Sequence, residues 1–243
     1  SLLDSIKELK SLHPFWGYRR IWATLRRKNK ITVNHKRIYR LMKQNNLSVE
    51  RRQLKALRTP QKSKPKPTRP CQWWGIDMTK IVTKTGWVYI TLVLDWYSKK
   101  IVGYHIGIQS KNQDWLSALD MALQANFPEG VREYHLNLMS DNGSQPTSRK
   151  FMKECENLKI NHVLTSYNNP KGNADTERMM RTMKEECLWL EEWESFSDVE
   201  TKLTAWINKY NSEYLHSALG WKTPNQVHQK AQNKFQKTLL KVA

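Results

Sequence analysis

The sequence predicts a mixed α/β fold: a five-stranded sheet flanked by helices and preceded by a small all-helical domain. Three observations support this fold. Residues 1–53 have helical periodicity, residues 54–70 are rich in Lys and Pro, and the chain after Cys71 contains strand-like segments followed by alternating helices and strands. Apolar residues make up 39% of the 243 residues and include eleven Trp, so a real core can form. No apolar run reaches the about 18 residues of a membrane span.

Positive charge is concentrated in the first third of the chain. The net charge is +19; residues 1–70 contain 20 Lys and Arg against 3 Asp and Glu, whereas residues 71–243 contain 21 against 19. Such a block suits a polyanion, because each nucleic-acid phosphate that it neutralises releases condensed counterions. A merely solubilising surface is the alternative. The interleaving of basic and aromatic residues favours nucleic acid.

The N-terminal region predicts two short helices joined by a tight connection. Residues 18–28 form an amphipathic pattern, and Asn34 is a suitable N-cap for a second, basic helix that ends near residue 44. This arrangement is typical of a helix-turn-helix unit, whose second helix enters the major groove. A plain helical hairpin with a solvated basic face is the alternative. The candidate DNA contacts of this region are Arg19, Arg20, Lys36, Arg37, Arg40 and Lys43.

Residues 54–70 predict an extended linker, because four prolines preclude a helix and apolar periodicity is missing. Lys64 and Lys66 of this linker are further candidates for contacts along a phosphate backbone. The predicted organisation is therefore a helical DNA-binding domain (1–53), a basic linker (54–70), a larger core domain with C-terminal helices (71–228) and a tail (229–243).

The three cysteines are scattered and form no C-x-x-C pair, which argues against a structural zinc site and a disulfide framework. The N-terminus has no signal-peptide pattern, and without an initiating Met the chain resembles an excised fragment. A reducing, cytoplasmic environment is the simplest expectation.

After Cys71 the pattern predicts an antiparallel meander of three strands, followed by alternating helices and strands. The predicted strands are 73–81, 87–95, 100–106, 134–140 and 160–166, and the predicted helices are 114–126, 148–158, 174–192 and 198–210. The tail after residue 224 is predicted to be helical or loose. This element order is that of a ribonuclease-H-like sheet with strand order 3-2-1-4-5.

Three carboxylates are placed where this sheet brings them together. Asp77 lies inside the first strand, where a charge is costly unless it is paired or bound to metal. Asp141 follows the fourth strand at an Asn-Gly turn, and Glu177 lies one turn into the long helix. Convergent carboxylates suit Mg²⁺ or Mn²⁺. Two such ions about 3.5–4 Å apart can activate the attacking oxygen and stabilise the leaving oxygen of a phosphoryl displacement.

Each carboxylate taken singly also has an ordinary explanation. Asp141 fits a turn former, Glu177 a solvated helix residue and Asp77 a partner for a nearby Lys. The residues alone leave these alternatives open.

The sequence motifs around the three acidic residues resemble those of a known protein family. Thirty-five residues separate Asp141 from Glu177, the spacing of the D,D(35)E motif of retroviral-type integrases and related transposases. Five segments resemble the integrase core of bacterial insertion-sequence transposases of the OrfB or fused OrfAB type. They are WWGIDMT, LVLDWYSKKIVGY, SDNGSQPTS, NNPKGNADTERMMRTMKEE and HSALGWKTP. HPFWGYRRIWATLRR resembles the helix-turn-helix domain that precedes that core, so the resemblance spans about residues 13–228.

The resemblance implies that Asp77, Asp141 and Glu177 are catalytic ligands of two Mg²⁺ or Mn²⁺ ions, with Asp141 presented by the turn at 142–144. It also implies that Lys184, two turns after Glu177, contacts the transposon end. Arg181 is a second candidate for this contact, or else an ordinary helical ion pair with Glu177. The apolar stripe of this helix is predicted to be core and consists of Met180, Met183, Cys187 and Leu190.

The implied function is metal-dependent cleavage of transposon-end DNA followed by 3′-hydroxyl strand transfer. The implied partners are double-stranded DNA (transposon ends and target), further copies of the chain in a homodimer or higher multimer, and the OrfA part of the same element. The implied location is the bacterial nucleoid. Two alternatives stay open: a DNA-binding module whose core no longer catalyses, and a nuclease of the same fold that cuts but does not join.

Overall fold

The computed structural model describes residues 1–49, 65–165 and 172–239, with backbone alone after residue 232. Of these residues, 1–49 and 215–222 form one compact unit and the others form a second. In the part of the chain that is described, every helix is too short or too polar to cross a bilayer.

The N-terminal unit contains three helices: α1 (Leu2–Leu12), α2 (Tyr18–Arg27) and α3 (His35–Gln44). Both predicted helices are present, and α1 adds a third. The predicted N-cap is confirmed, because the Asn34 side chain accepts a hydrogen bond from the backbone N–H of Lys36 at 2.8 Å. The core of the unit consists of Ile6, Trp16, Ile21, Leu25, Ile38 and Met42.

Residues 215–222 belong to this unit although they lie near the other end of the sequence. They contain a 3₁₀ turn (Ser217–Leu219) followed by Gly220 and Trp221, both in the left-handed region with φ of 62° and 60°. Arg27 donates a hydrogen bond to the carbonyl oxygen of Gly220 at 3.0 Å, and the rings of Trp221 and Trp22 pack edge-on with centroids 6.3 Å apart. The loop therefore covers part of α2.

The second unit is built on the predicted five-stranded sheet, and the order β3-β2-β1-β4-β5 confirms the ribonuclease-H-like architecture. The strands are β1 (Trp73–Thr83), β2 (Gly86–Asp95), β3 (Ile101–Gly107), β4 (Asn137–Ser140) and β5 (Asn161–Leu164). The first three strands pair antiparallel, whereas β4 runs parallel to β1 and to β5. β4 begins three residues later than predicted, because His135 adopts a left-handed backbone with φ of 51°.

Helices cover both faces of the sheet. On one face, α4 (Asn112–Asn126) and α5 (Arg149–Asn157) pack on a core that contains Trp74 and Ile76 of β1. On the other face, α6 (Ala174–Met183) and α7 (Phe196–Glu213) pack on a core that includes Met139 of β4. Side chains alternate along a strand, so the even-numbered residues of β1 face α4 and α5 and the odd-numbered residues face α6.

The long helix predicted to reach residue 192 is shorter in the structure. α6 ends at Met183 and continues as a π-helical turn (Lys184–Leu188). Met180, Met183 and Cys187 are buried as predicted, but the prediction for Leu190 was wrong, since its side chain is 41% exposed. The wider π turn changes which residues face the core, and Trp193 is buried instead, where its indole N–H donates to the carbonyl oxygen of Leu188 at 2.9 Å.

The C-terminal helix α8 (Pro224–Leu239) is anchored by a buried polar network. The His228 ring nitrogens lie 3.0 Å from Ser98 Oγ and 3.0 Å from Asn126 Oδ1. Ser98 Oγ in turn donates to Asp95 Oδ1 at 2.6 Å, and the backbone N–H of Cys71 donates to Asp95 Oδ2 at 2.7 Å. Burial lowers the pKa of His228 to about 4.

Acidification from about pH 7 to about pH 5 is expected to remove about 2 kcal/mol of stability through His228. The lowered pKa means that the folded state holds the neutral imidazole, so this stabilisation is complete above the unfolded pKa and is lost as the pH falls towards the folded value. Urea unfolding at both pH values tests the effect in the wild type and in His228→Gln, which cannot titrate. The variant should lose less stability than the wild type on acidification, and equal losses would contradict the expectation.

Candidate active site

The sheet places Asp77 and Asp141 on neighbouring strands. β1 and β4 pair in parallel with Gly75 opposite Met139, and the same register continued by two residues places Asp141 opposite Asp77. Asp141 stands one residue beyond the end of β4, whereas Asp77 is in the interior of β1 and pairs with Leu92 of β2. Both acids are odd-numbered residues on the face that α6 covers.

Asp77 is mostly buried, and its Oδ1 atom accepts a hydrogen bond from the backbone N–H of Met78 at 2.8 Å. Burial and, to a smaller extent, the charges of Asp141 and Glu177 raise the pKa of Asp77 to about 6. The Met78 N–H and the charge of Lys184 lower this pKa. Asp141, Glu177 and Lys184 are therefore close enough to Asp77 for their charges to act on its carboxyl group.

A local turn holds the exposed Asp141 carboxylate. The backbone N–H of Gly143 donates to Asp141 Oδ1 at 3.1 Å, and the Asn142 side chain donates to the carbonyl oxygen of Thr165, just after β5. A β-carbon at Gly143 would stand 3.1 and 3.4 Å from the two carboxylate oxygens, so glycine keeps this space open. The turn therefore presents the carboxylate in one orientation.

Glu177 reaches the same edge because α6 packs very close to β1. A β-carbon at Gly75 would lie 1.9 Å from Thr176 Oγ1 and 2.5 Å from Trp96 Nε1, distances that only glycine permits. The Trp96 indole N–H donates to Thr176 Oγ1 at 3.0 Å, which fixes the residue next to Glu177. Although Glu177 is exposed, partial desolvation raises the pKa of its carboxyl group.

The donor set fits a hard divalent cation. All three side chains supply carboxylate oxygens, the ligands that Mg²⁺ and Mn²⁺ prefer. Backbone N–H groups engage one oxygen of Asp77 and one of Asp141, which leaves the second oxygen of each for a metal ion. Among the described residues, no three His, Cys, Asp or Glu side chains are already gathered around one point at ligand distance. Like charges repel, and a cation would offset that repulsion.

The two basic candidates on this helix differ in their surroundings. Lys184 is partly buried at the start of the π turn, close enough to act on the charge of Asp77. Arg181 is exposed, and its Nε atom lies 2.7 Å from Glu185 Oε1. The helical ion pair of Arg181 is therefore with Glu185 and not with Glu177.

The candidate residues of the N-terminal unit fall into two groups. Four exposed basic residues line α3: Lys36, Arg37, Arg40 and Lys43. On α2 the Arg19 guanidinium lies 5.7 Å from the Tyr18 ring, and the partly buried Arg20 lies 5.6 Å from the Trp16 ring. Of the two linker candidates, Lys66 is exposed and Lys64 lies outside the described residues.

Sequence reasoning missed the residues that hold α6 against the sheet. Gly75, Trp96 and Thr176 meet beneath α6, and Lys99 forms an ion pair with Asp175. One signal was available, because a glycine inside a strand often marks a close backbone approach.

Comparisons with known proteins match both units. A family model described as Integrase core domain matches residues 67–170, and a second with the same description matches residues 158–224. A model described as HTH-like domain matches residues 1–55.

The curated relatives are transposases. The putative transposase InsK for insertion sequence element IS150 of Escherichia coli (strain K12) is 26% identical over 219 residues, which cover 86% of this chain and 76% of the relative. The transposase for insertion sequence element IS904 of Lactococcus lactis subsp. lactis (strain IL1403) is 32% identical over 160 residues, which cover 65% of this chain and 62% of the relative.

A solved structure shares the fold. One chain of the cryo-electron-microscopy structure of the simian T-cell lymphotropic virus intasome, in complex with PP2A regulatory subunit B56 gamma, is 16% identical with a TM-score of 0.54. The match covers 94% of this chain and 74% of that one.

Proposed function

Because this chain belongs to the DDE transposases of bacterial insertion sequences, which join a helix-turn-helix domain to an integrase core, we propose that Asp77, Asp141 and Glu177 are its catalytic metal ligands. The enzyme is a polynucleotidyl transferase that carries out DNA transposition by strand transfer. The observation that most supports the assignment of the ligands is the placement of Asp77, a largely buried carboxylate whose pKa is raised by burial and by the other two acids.

The three carboxylates would hold two divalent cations, Mg²⁺ or Mn²⁺, which activate the attacking oxygen and stabilise the leaving oxygen when bound. The protein's own contribution is orientation. The Met78 N–H fixes the Asp77 carboxylate, the Gly143 N–H fixes that of Asp141, and Lys184 offers a charge to a DNA phosphate beside them. Water attacks first and frees a 3′-hydroxyl, which then attacks a second phosphodiester, and no covalent enzyme–DNA bond forms.

The DNA partners are the transposon ends and the target. We expect the ends to be held by the exposed basic face of α3, while Lys184 and Arg181 are candidates for contacts near the scissile phosphate. The protein would act on DNA as a homodimer or higher multimer. It would work on the nucleoid in the bacterial cytoplasm and cooperate with the OrfA part of the element.

Strand-transfer assays test this function. End-labelled DNA from the termini of the element is incubated with the protein and Mg²⁺ or Mn²⁺, with EDTA as the control. Cleavage and joining that require the metal are expected. Binding without cleavage under any metal would indicate a DNA-binding module, and a pre-cleaved end that never joins target DNA would indicate a nuclease. Either of these outcomes would overturn the proposal.

Alanine replacement of Lys36, Arg40 or Lys43 is expected to weaken binding to all DNA sequences and to lower the salt dependence. Each lost phosphate contact should reduce the slope of log affinity against log salt by about 0.9. Fluorescence anisotropy across a salt series measures both quantities. The matched control is Lys209→Ala, which removes an exposed lysine of α7 and should leave the slope unchanged. The same slope in the α3 variants as in this control would remove α3 from the DNA interface.

A further inference from the structure

The first turn of α6, which carries Glu177, has no side-chain cap of its own. Asn173 is the N-cap residue, and its side chain makes no capping hydrogen bond. A helix end without a cap leaves N–H groups unsatisfied and frays unless other contacts hold it. The contacts that hold this turn come from residues 95–101, between β2 and β3, which we name the β2–β3 turn.

Two contacts join the β2–β3 turn to the two residues that precede Glu177. The Trp96 indole N–H donates to Thr176 Oγ1 at 3.0 Å, and both residues are buried. Lys99 Nζ lies 3.0 Å from Asp175 Oδ2, with side chains only 20% and 19% exposed. Such a shielded pair is screened less by solvent and salt than a surface ion pair. We name these two contacts the α6 clasp.

The β2–β3 turn is itself held by several hydrogen bonds, so it can fix the position of α6. Lys99 Nζ also donates to the Trp96 carbonyl oxygen at 2.6 Å, which fixes the lysine side chain inside its own turn. The carbonyl oxygen of Lys99 accepts from the Tyr210 hydroxyl of α7 at 2.9 Å. The Asn211 side chain also bonds both backbone groups of Ile101, at 3.0 and 2.9 Å. The turn is thus tied to α7 at several points.

We propose that the α6 clasp sets the position of Glu177, with Lys99 and Asp175 as positioning residues that themselves contact neither metal nor DNA. The inference rests on the proposed role of Glu177 as a metal ligand. Asp175 and Thr176 directly precede Glu177 in the first turn of α6, so a shift of either displaces its carboxylate. Ligand geometry for these metals is strict, and loss of a supporting contact lowers metal affinity.

The test compares Lys99→Met and Asp175→Asn, which break the ion pair, with Lys99→Arg, which keeps it. The matched control is Lys84→Met, which breaks the exposed ion pair (2.7 Å) between Lys84, in the turn that joins β1 to β2, and Glu194, just before α7. One readout is hydrogen exchange of α6 in the free protein, without metal or DNA. The other is the Mn²⁺ concentration that gives half-maximal strand transfer.

Both pair-breaking variants should exchange faster across the first turn of α6 and need about tenfold more Mn²⁺, with most of the rate recovered at saturating metal. Lys99→Arg and Lys84→Met should resemble the wild type. The proposed role of the clasp would be overturned if both pair-breaking variants kept the hydrogen exchange and the Mn²⁺ requirement of the wild type. It would also be overturned if Lys84→Met changed both quantities as much as the pair-breaking variants do. Because exchange is measured on the protein alone, a wild type without strand transfer would refute the proposed function while leaving the clasp to be judged separately.

Discussion

Replacing any one of Asp77, Asp141 and Glu177 by its amide is expected to lower strand transfer by at least about a thousandfold, or about 4 kcal/mol of transition-state stabilisation. An amide keeps the shape of the side chain but supplies a neutral, weaker ligand. DNA binding should be retained, because the basic face of α3 is unaltered. The measurement is single-turnover joining of a pre-cleaved end, with anisotropy on the same DNA.

The matched control for these variants is Asp120→Asn, an acid-to-amide change on the exposed side of α4 that should join DNA at the wild-type rate. Stability separates a lost function from a lost fold. Asp77→Asn removes a charge that burial and two neighbouring acids disfavour, so the metal-free variant should be at least as stable as the wild type. Joining at the wild-type rate by all three amides would show that the metal site lies elsewhere.

Gly75→Ala is expected to reduce strand transfer by at least about a hundredfold and to destabilise the core by about 1–3 kcal/mol. The new methyl group would stand 1.9 Å from Thr176 Oγ1 and 2.5 Å from Trp96 Nε1, so α6 must move away from β1 and take Glu177 with it. Urea unfolding gives the stability, and joining assays at saturating Mn²⁺ give the rate per folded molecule.

Gly103→Ala is the matched control for this change. Its β-carbon would stand 2.3 Å from the carbonyl oxygen of Ala118 in α4, on the face of the sheet away from α6. This variant should also lose stability but should retain its rate per folded molecule. Equal rates for the two variants after correction for the folded fraction would mean that packing at Gly75 does not control Glu177.

The strands themselves and the antiparallel pairing of the first three were predictable because their signals are local. The alternation of apolar residues and the tight turns between strands each lie within a short window of sequence. The order of the elements along the chain then matches that of a known fold. The end of α6 was not predictable in this way. Met180, Met183, Cys187 and Leu190 continue a helical period past the point where the α-helix ends. The π turn accompanies the burial of Trp193, a contact that no local pattern reveals.

The positions of the candidate metal ligands were predictable for a similar reason. Each acid lies at a recognisable position, either inside a strand, directly after a strand or in the first turn of a helix. The sequence motif around each acid is also distinctive. The α6 clasp was not predictable, since it joins Lys99 to Asp175 and Trp96 to Thr176 across more than seventy residues of sequence. Its members resemble ordinary surface and core residues until the fold brings them together.

The loop at 215–222 makes the DNA-binding unit discontinuous in sequence. An exchange of residues 1–49 between related transposases would carry α2 but leave behind Trp221 and Gly220, the partners of Trp22 and Arg27. A working chimera therefore requires two crossovers, one on each side of the catalytic segment. Inheritance of DNA specificity in this lineage is thus expected to follow paired changes in two separate segments of the sequence, rather than the exchange of a single segment.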